Sequence, residues 1–112
     1  KMTTLRVLLH VAAQRDYELH SLNFTTTFLQ GSLHEEMWLR HPPSVTGTTL
    51  AALGFAPTAD PSLFLRTDTS LPPFYVLMYV NDLVFATAYT EIKTLVKARR
   101  TITLTLSHMI HQ

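Results

Sequence analysis

The 112-residue sequence contains no cysteine, which excludes disulfide frameworks, thiolate zinc sites and cysteine nucleophiles. Glycine is almost as scarce. Gly31, Gly47 and Gly54 stand too far apart to build a phosphate-cradling loop, and no strand-to-helix nucleophile elbow surrounds any serine. Long apolar runs are also lacking: Phe74 to Val80 and Leu83 to Ala86 are separated by Asn81-Asp82, and neither nears the roughly 20 residues needed to cross a bilayer. Arg6 and His10 interrupt the apolar stretch near the start that a secretion signal would need. The chain is therefore expected to be intracellular, cytoplasmic or nuclear, with no membrane partner, and the Asn23-Phe24-Thr25 sequon carries no glycan. Charge of one sign is missing as well. Nine Lys and Arg against eight Asp and Glu leave a formal net charge of +1, so any basic surface must be local.

What is present is a 46% apolar composition, enough to close one core and against disorder. A single domain over 1–112 is expected. Leu5, Leu8, Leu9 and Ala12 follow helical spacing, which predicts a helix over 3–15. Tyr17 to Phe24 predicts a strand with a bulge near His20-Ser21, and Thr25 to Gln30 a brief helix closing at Gly31. Glu36 to Arg40 predicts a strand stopped by His41-Pro42-Pro43. Pro42 to Thr49 reads as a loop, Thr49 to Leu53 as a short helix ended by Gly54, Pro57 to Pro61 as a turn and Ser62 to Thr67 as a strand.

Phe74 to Val80 and Leu83 to Thr87 form the strongest local signal, two strands joined through the polar pair Asn81-Asp82 in a tight hairpin. Thr90 to Lys97 predicts a helix, the alternating Thr101 to Leu106 a half-exposed strand, and Ser107 to Gln112 the start of another helix. The mixture favours an α+β class or a split β-α-β arrangement.

The hairpin pair has a plain explanation, since Asn and Asp tolerate tight-turn backbones. It has a chemical one too, because oxygens held on a rigid hairpin suit a hard dication. At this point the sequence resembles a known family. Tyr79-Val80-Asn81-Asp82-Leu83-Val84 is similar to the Tyr-Val-Asp-Asp motif of copia-type retrotransposon reverse transcriptases. Leu22 to Leu33 resembles their Leu-Asp-Val-Lys-Thr-Ala-Phe-Leu-x-Gly-x-Leu segment. Glu36 to Pro43 resembles Glu-x-x-Tyr-Met-x-Gln-Pro-Pro, and Leu53-Gly54-Phe55 through Asp60-Pro61-Ser62-Leu63-Phe64 resembles a Gly-Phe-x-x-x-x-x-Asp-x-x-x-Phe stretch. Arg99 to His108 resembles a later strand of the same domain.

The resemblance implies the remnant of a polymerase palm, an antiparallel sheet backed by helices, with fingers and thumb largely missing. It implies an RNA-directed DNA polymerase in ancestry, with a primer-template of RNA or DNA, dNTP and two Mg2+ ions as partners. Asn23 and Asn81 stand where the family carries catalytic aspartates, and Asp82 is the one retained carboxylate. Losing two of three carboxylates predicts that Mg2+ is not bound and that polymerase activity is absent. The family's Tyr-Gly-Leu-Lys-Gln-Ala-Pro-Arg motif is missing after Gly47, and a second gap falls between Lys97 and Arg99. The alternative is a non-catalytic nucleic-acid-binding or assembly module that keeps the palm sheet.

Lys93, Lys97, Arg99 and Arg100 form the basic cluster and are the candidate phosphate contacts. His108 and His111 have the i, i+3 spacing of a metal pair, yet solvated side chains on a terminal helix explain them. His34-Glu35-Glu36 is read as a solvated acidic turn. Trp38 and Tyr79 could stack on bases, although aromatic side chains in strands mostly serve packing.

Overall fold

The computed structural model describes residues 2–23, 42–79 and 82–110. In chain order these form α1 (Met2–Gln14), β1 (Glu18–Asn23), α2 (Pro42–Ala52), β2 (Phe55–Pro57), β3 (Leu63–Arg66), β4 (Phe74–Tyr79), β5 (Asp82–Thr87), a 3-10 turn (Tyr89–Glu91) and α3 (Ile92–Ile110). The strands make one antiparallel sheet in the order β1-β5-β4-β3-β2. The fold is α+β. The brief helix expected over 25–30, the strand over 36–40 and the turn residue Asn81 lie outside the described residues.

The alternation of strand side chains sends two sets of apolar groups to opposite faces. On one face Leu22, Phe64, Phe74, Val76, Leu83 and Phe85 meet Leu50 of α2 and Leu95 and Ile102 of α3. On the other, Leu77 and Ala86 meet Leu8 and Ala12 of α1, with Tyr17, Leu63, Tyr75, Tyr79 and Val84 packed around them. Helices thus cover both faces of the sheet.

Helix α1 stops through Asp16, whose φ of 54° places it in the left-handed region that Asp tolerates better than most residues. The Tyr17 N–H then reaches back to the Ala12 carbonyl at 2.8 Å and the Asp16 N–H to Ala13 at 3.4 Å, the paired closure of a Schellman end. The same turn drops the Tyr17 ring beside Ala12. At its start, α1 is tied to the β2–β3 turn: the Thr4 hydroxyl donates to Asp60 Oδ2, while Oδ1 accepts from the Ser62 N–H at 2.9 Å and the Ser62 hydroxyl at 2.7 Å.

Three expectations are corrected. Strand β1 carries no bulge, because Glu18 to Asn23 pair one-to-one with Thr87 to Asp82. The apparent phase slip comes from Leu19, which faces the α1 side of the sheet and stays 45% exposed, while Leu22 faces the main core.

The expected loop over 42–49 is the first part of α2. Prolines are compatible with a first helical turn, where the missing N–H would lack an intrahelical partner anyway. Beyond it Thr46, Leu50 and Leu53 follow the i, i+4, i+7 stripe. Fully burying Leu50 is worth roughly 1.5–3 kcal/mol, against about 1 kcal/mol for the helical Gly47. Gly54, at φ 95°, ends the segment.

The expected strand over 101–106 is part of α3. Leu95, Ala98 and Ile102 fall on one helical stripe and are all buried. The threonines that favour a strand each cost a helix at most about 0.7 kcal/mol. Two of them offset part of this by bonding back one turn, Thr103 Oγ1 to the Arg99 carbonyl at 2.8 Å and Thr105 Oγ1 to Thr101 at 2.9 Å. Burial of Leu95 and Ile102, roughly 1.5–3 kcal/mol each, decides the outcome. The helix runs unbroken across Lys97 and Arg99. Strand β2, a three-residue edge ending at Pro57, was not legible as a strand at all.

At the far end of the main core, Arg66 Nη1 pairs with Glu91 Oε1 at 2.6 Å, with side-chain exposures of 7% and 14%. Its Nη2 donates to the Pro72 carbonyl, and its guanidinium carbon lies 5.4 Å from the centre of the Phe74 ring. Phe74 in turn meets Phe55 edge-on at 5.1 Å. A buried pair of this kind offsets its desolvation only when such further contacts satisfy it.

Two expected outcomes follow from this packing. Ile102→Ala will destabilise the fold by about 2–5 kcal/mol, while Leu104→Ala, 63% exposed, will change it by no more than about 0.5 kcal/mol in urea unfolding. A strand would have set both residues on one face and made both substitutions costly. Secondly, the hydrogen bonds from Thr4 and Ser62 hold the Asp60 carboxyl down from 3.8 to about 2. A depressed carboxyl contributes stability above its unfolded pKa and loses it as pH falls through the folded one. Melting temperature will therefore fall between about pH 4 and pH 2, and Asp60→Asn will flatten that part of the pH profile.

Candidate functional site

The register of three strands builds the site. Asn23 closes β1 opposite Asp82, the first residue of β5, and Asp82 also faces Tyr79, the last residue of β4. Asp82 thus belongs to the strand, and the two-residue connection between the strands is 80–81. Because Leu83 turns into the main core, Asp82 projects to the opposite face, the side of α1. Residues 59 positions apart in sequence become neighbours there: Asn23 Nδ2 donates to Asp82 Oδ1 at 3.0 Å. Tyr79 borders them, with its hydroxyl 3.8 Å from Met2 Sδ at the start of α1. Its ring packs with the α1-side cluster, which gives it the packing role.

This arrangement can hold a cross-strand hydrogen bond with one charged partner. The described donors alone, Asn23 and Asp82, do not make up the several-oxygen set that a hard dication seeks. A magnesium ion seeks several oxygens in a fixed octahedron, and here the neighbour of the single carboxylate turns an N–H toward it. Among the described residues, no three His, Cys, Asp or Glu side chains come together as a metal cluster.

The structure brings Asn23 and Asp82 together but not the basic cluster. Lys93, Lys97, Arg99 and Arg100 are all exposed on α3, which packs on the other face of the sheet. Helical spacing puts Lys93, Lys97 and Arg100 on one outward stripe, with Arg99 turned toward β1. They cannot share a cleft with Asp82. Asn81, His34, Glu35, Glu36, Trp38 and His111 lie outside the described residues. His108 falls on the last turns of α3 and not on a separate helix. Arg66 and Asp60, the most elaborately bonded polar side chains, were missed by sequence reasoning. Each looks like an ordinary strand or turn residue, and its partners are distant in sequence.

The chain is 43% identical over 42 residues to the Retrovirus-related Pol polyprotein from transposon TNT 1-94 of Nicotiana tabacum. That stretch is similar to part of a retrotransposon polyprotein. The matched stretch covers 38% of this chain and 3% of the tobacco polyprotein, so the chain corresponds to a small part of that protein's length. No protein-family profile matches the sequence. No solved structure matches it either. Among the described residues, no helix is long and apolar enough to cross a membrane.

Asn23→Asp tests the geometry directly. It sets two carboxylates opposite each other across the β1–β5 ladder, which costs about 0.2–1 kcal/mol. The variant will melt below the parent at neutral pH and low salt, and acid or a divalent cation will narrow the difference.

Proposed function

We propose that this retrotransposon-derived chain is the remnant of a copia-type reverse-transcriptase palm, an RNA-directed DNA polymerase domain that no longer polymerises. The single observation that carries the reading is the meeting of Asn23 and Asp82 at 3.0 Å on adjacent strands. A palm needs carboxylates from two separate chain segments at one point, and this chain retains the two segments with one carboxylate. The strand order supports it as well: the hairpin β4–β5 lies beside β1, so the residue that ends β1 and the residue that begins β5 coincide.

Chemistry explains the loss of activity. In-line nucleotidyl transfer relies on paired metals that lower the charge on the leaving phosphates and activate the primer hydroxyl. An amide in place of a carboxylate removes a full negative charge from the ligand set, and its N–H presents a donor where a metal would require an acceptor. Primer-template, dNTP and Mg2+ are the partners of the ancestral site. Lys93, Lys97, Arg99 and Arg100 lie on the opposite face from it and are not assigned to that template path.

The test pairs activity with a folding readout. The chain will incorporate no nucleotide on a primed RNA template with Mg2+. The double reversion Asn23→Asp/Asn81→Asp will show a melting temperature that rises with millimolar-range Mg2+, an increase the parent lacks. Primer extension by the parent would refute the loss of activity. A folded double reversion indifferent to Mg2+ would refute the assignment of these positions as former metal ligands.

A further inference from the structure

Between α3 and the outer strand β1 runs an open groove of about 360 Å3, lined by Leu22, Val96, Arg99, Arg100, Thr103 and Leu104. Leu22 forms its floor, and Val96 and Leu104 are large apolar side chains left 47% and 63% exposed. On the helix Val96, Arg100 and Leu104 follow each other at i, i+4 and i+8, so a guanidinium sits between two apolar groups. Arg99 and Thr103 form the adjoining row.

Charge narrows the occupant. From Ile92 to Ile110 the helix carries Lys93, Lys97, Arg99 and Arg100 and no Asp or Glu at all. Among the described residues, the one ion pair is that of Arg66 with Glu91, and no described carboxylate pairs with these four cations. A second copy docked through the same face about a two-fold axis would set arginine against arginine, and like charges across an interface oppose association. A bare polyphosphate backbone would match the charge but leave Val96 and Leu104 unused. Among the described residues that line it, the groove has no aromatic ring for a base to stack on.

We infer that this groove is a docking surface for an acidic amphipathic protein segment, whose apolar side chains enter between Val96 and Leu104 and whose carboxylates pair with Arg99 and Arg100. Guanidinium groups favour this partner because their planar donors take a carboxylate with two parallel hydrogen bonds. The apolar residues on either side partly exclude water from that contact. A helical segment laying one face into a groove is the recognition mode that fits the shape. Nothing in this assignment depends on the palm ancestry, since the groove lies on the sheet face opposite Asn23 and Asp82.

The probe is a fluorescent synthetic peptide with leucines along one helical face and glutamates flanking them, titrated with the full chain and read by anisotropy. A permuted peptide of equal composition and an oligouridylate serve as comparisons. The amphipathic peptide will bind at about 0.15 M salt, and the permuted one will bind at least about tenfold more weakly. Arg99→Glu/Arg100→Glu and Val96→Gln/Leu104→Gln will each weaken it by about tenfold or more while leaving the melting temperature close to the parent, because the four positions are exposed. Three results would overturn the assignment. The first is no binding of the amphipathic peptide. The second is equal binding of the permuted peptide. The third is tighter binding of the oligouridylate that survives Val96→Gln/Leu104→Gln and falls steeply with salt, which would make the patch a phosphate site.

Discussion

The antiparallel register of β1, β5 and β4 is the constraint on which everything else rests. Six consecutive pairs join β1 to β5 and six join β5 to β4, so the phase of three strands is locked together. Side chains alternate with a period of two, and a slip of one residue would turn Leu83 and Phe85 outward and Asp82 inward. The energies on the two sides are unequal. Leu83 and Phe85 are fully buried, at roughly 1.5–3 kcal/mol each, while an unpaired carboxylate in their place would cost several kcal/mol. Core packing therefore dictates that Asp82 stands on the α1 face, and pairing across the ladder then dictates that Asn23 stands beside it. The candidate site follows from the hydrophobic pattern of neighbouring strand residues that do no chemistry themselves.

The same register separates two surfaces that a linear reading places together. Asp82 and the cations Lys93 to Arg100 are close in sequence, and a short connection joins them. Yet β5 ends on the main-core face at Thr87, whose hydroxyl donates to the Pro73 carbonyl at 2.9 Å, and the chain enters α3 on that side. The sheet thickness then lies between the carboxylate and the cations. The two surfaces are chemically independent, and substitutions on one should leave the other unaltered when their sites are far apart and share no partners.

How far the sequence was legible follows from where local and tertiary forces agree. The apolar alternation of 74–79 and 82–87 and the Leu5, Leu8, Ala12 stripe agree with their burial, and those elements stand where the pattern put them. Thr101 to Leu106 alternates as a strand does, but Ile102 is in helical phase with Leu95 and Ala98. A helix already packed on the sheet propagates at less cost than a new strand can nucleate. Pro42-Pro43 reads as a break because proline stops a strand, whereas at a helix start it is permitted; the decisive fact, Leu50 buried against the sheet, is not local. Of the site, Asp82 and Asn23 were legible as positions, but not as hydrogen-bonded neighbours, because only the pairing of β1 with β5 brings them together.

On the proposed reading, in which Asn23 replaced an aspartate, that pairing also explains how the site could lose its charge without losing its fold. Two carboxylates facing each other across an antiparallel ladder repel, and a metalloenzyme tolerates this because a cation bridges them. Once the cation is no longer needed, the bare pair is a net cost. Replacing one member by its amide converts the repulsion into a hydrogen bond to a charged acceptor, worth about 1.5–3 kcal/mol where buried and less at an exposed position such as this one. The change from Asp to Asn keeps shape and volume, so neither β1 nor β5 need move. Stability alone then favours the amide at position 23, and under the proposed reading the shape of the ancestral site outlasts its chemistry because the core behind it holds the strands in register.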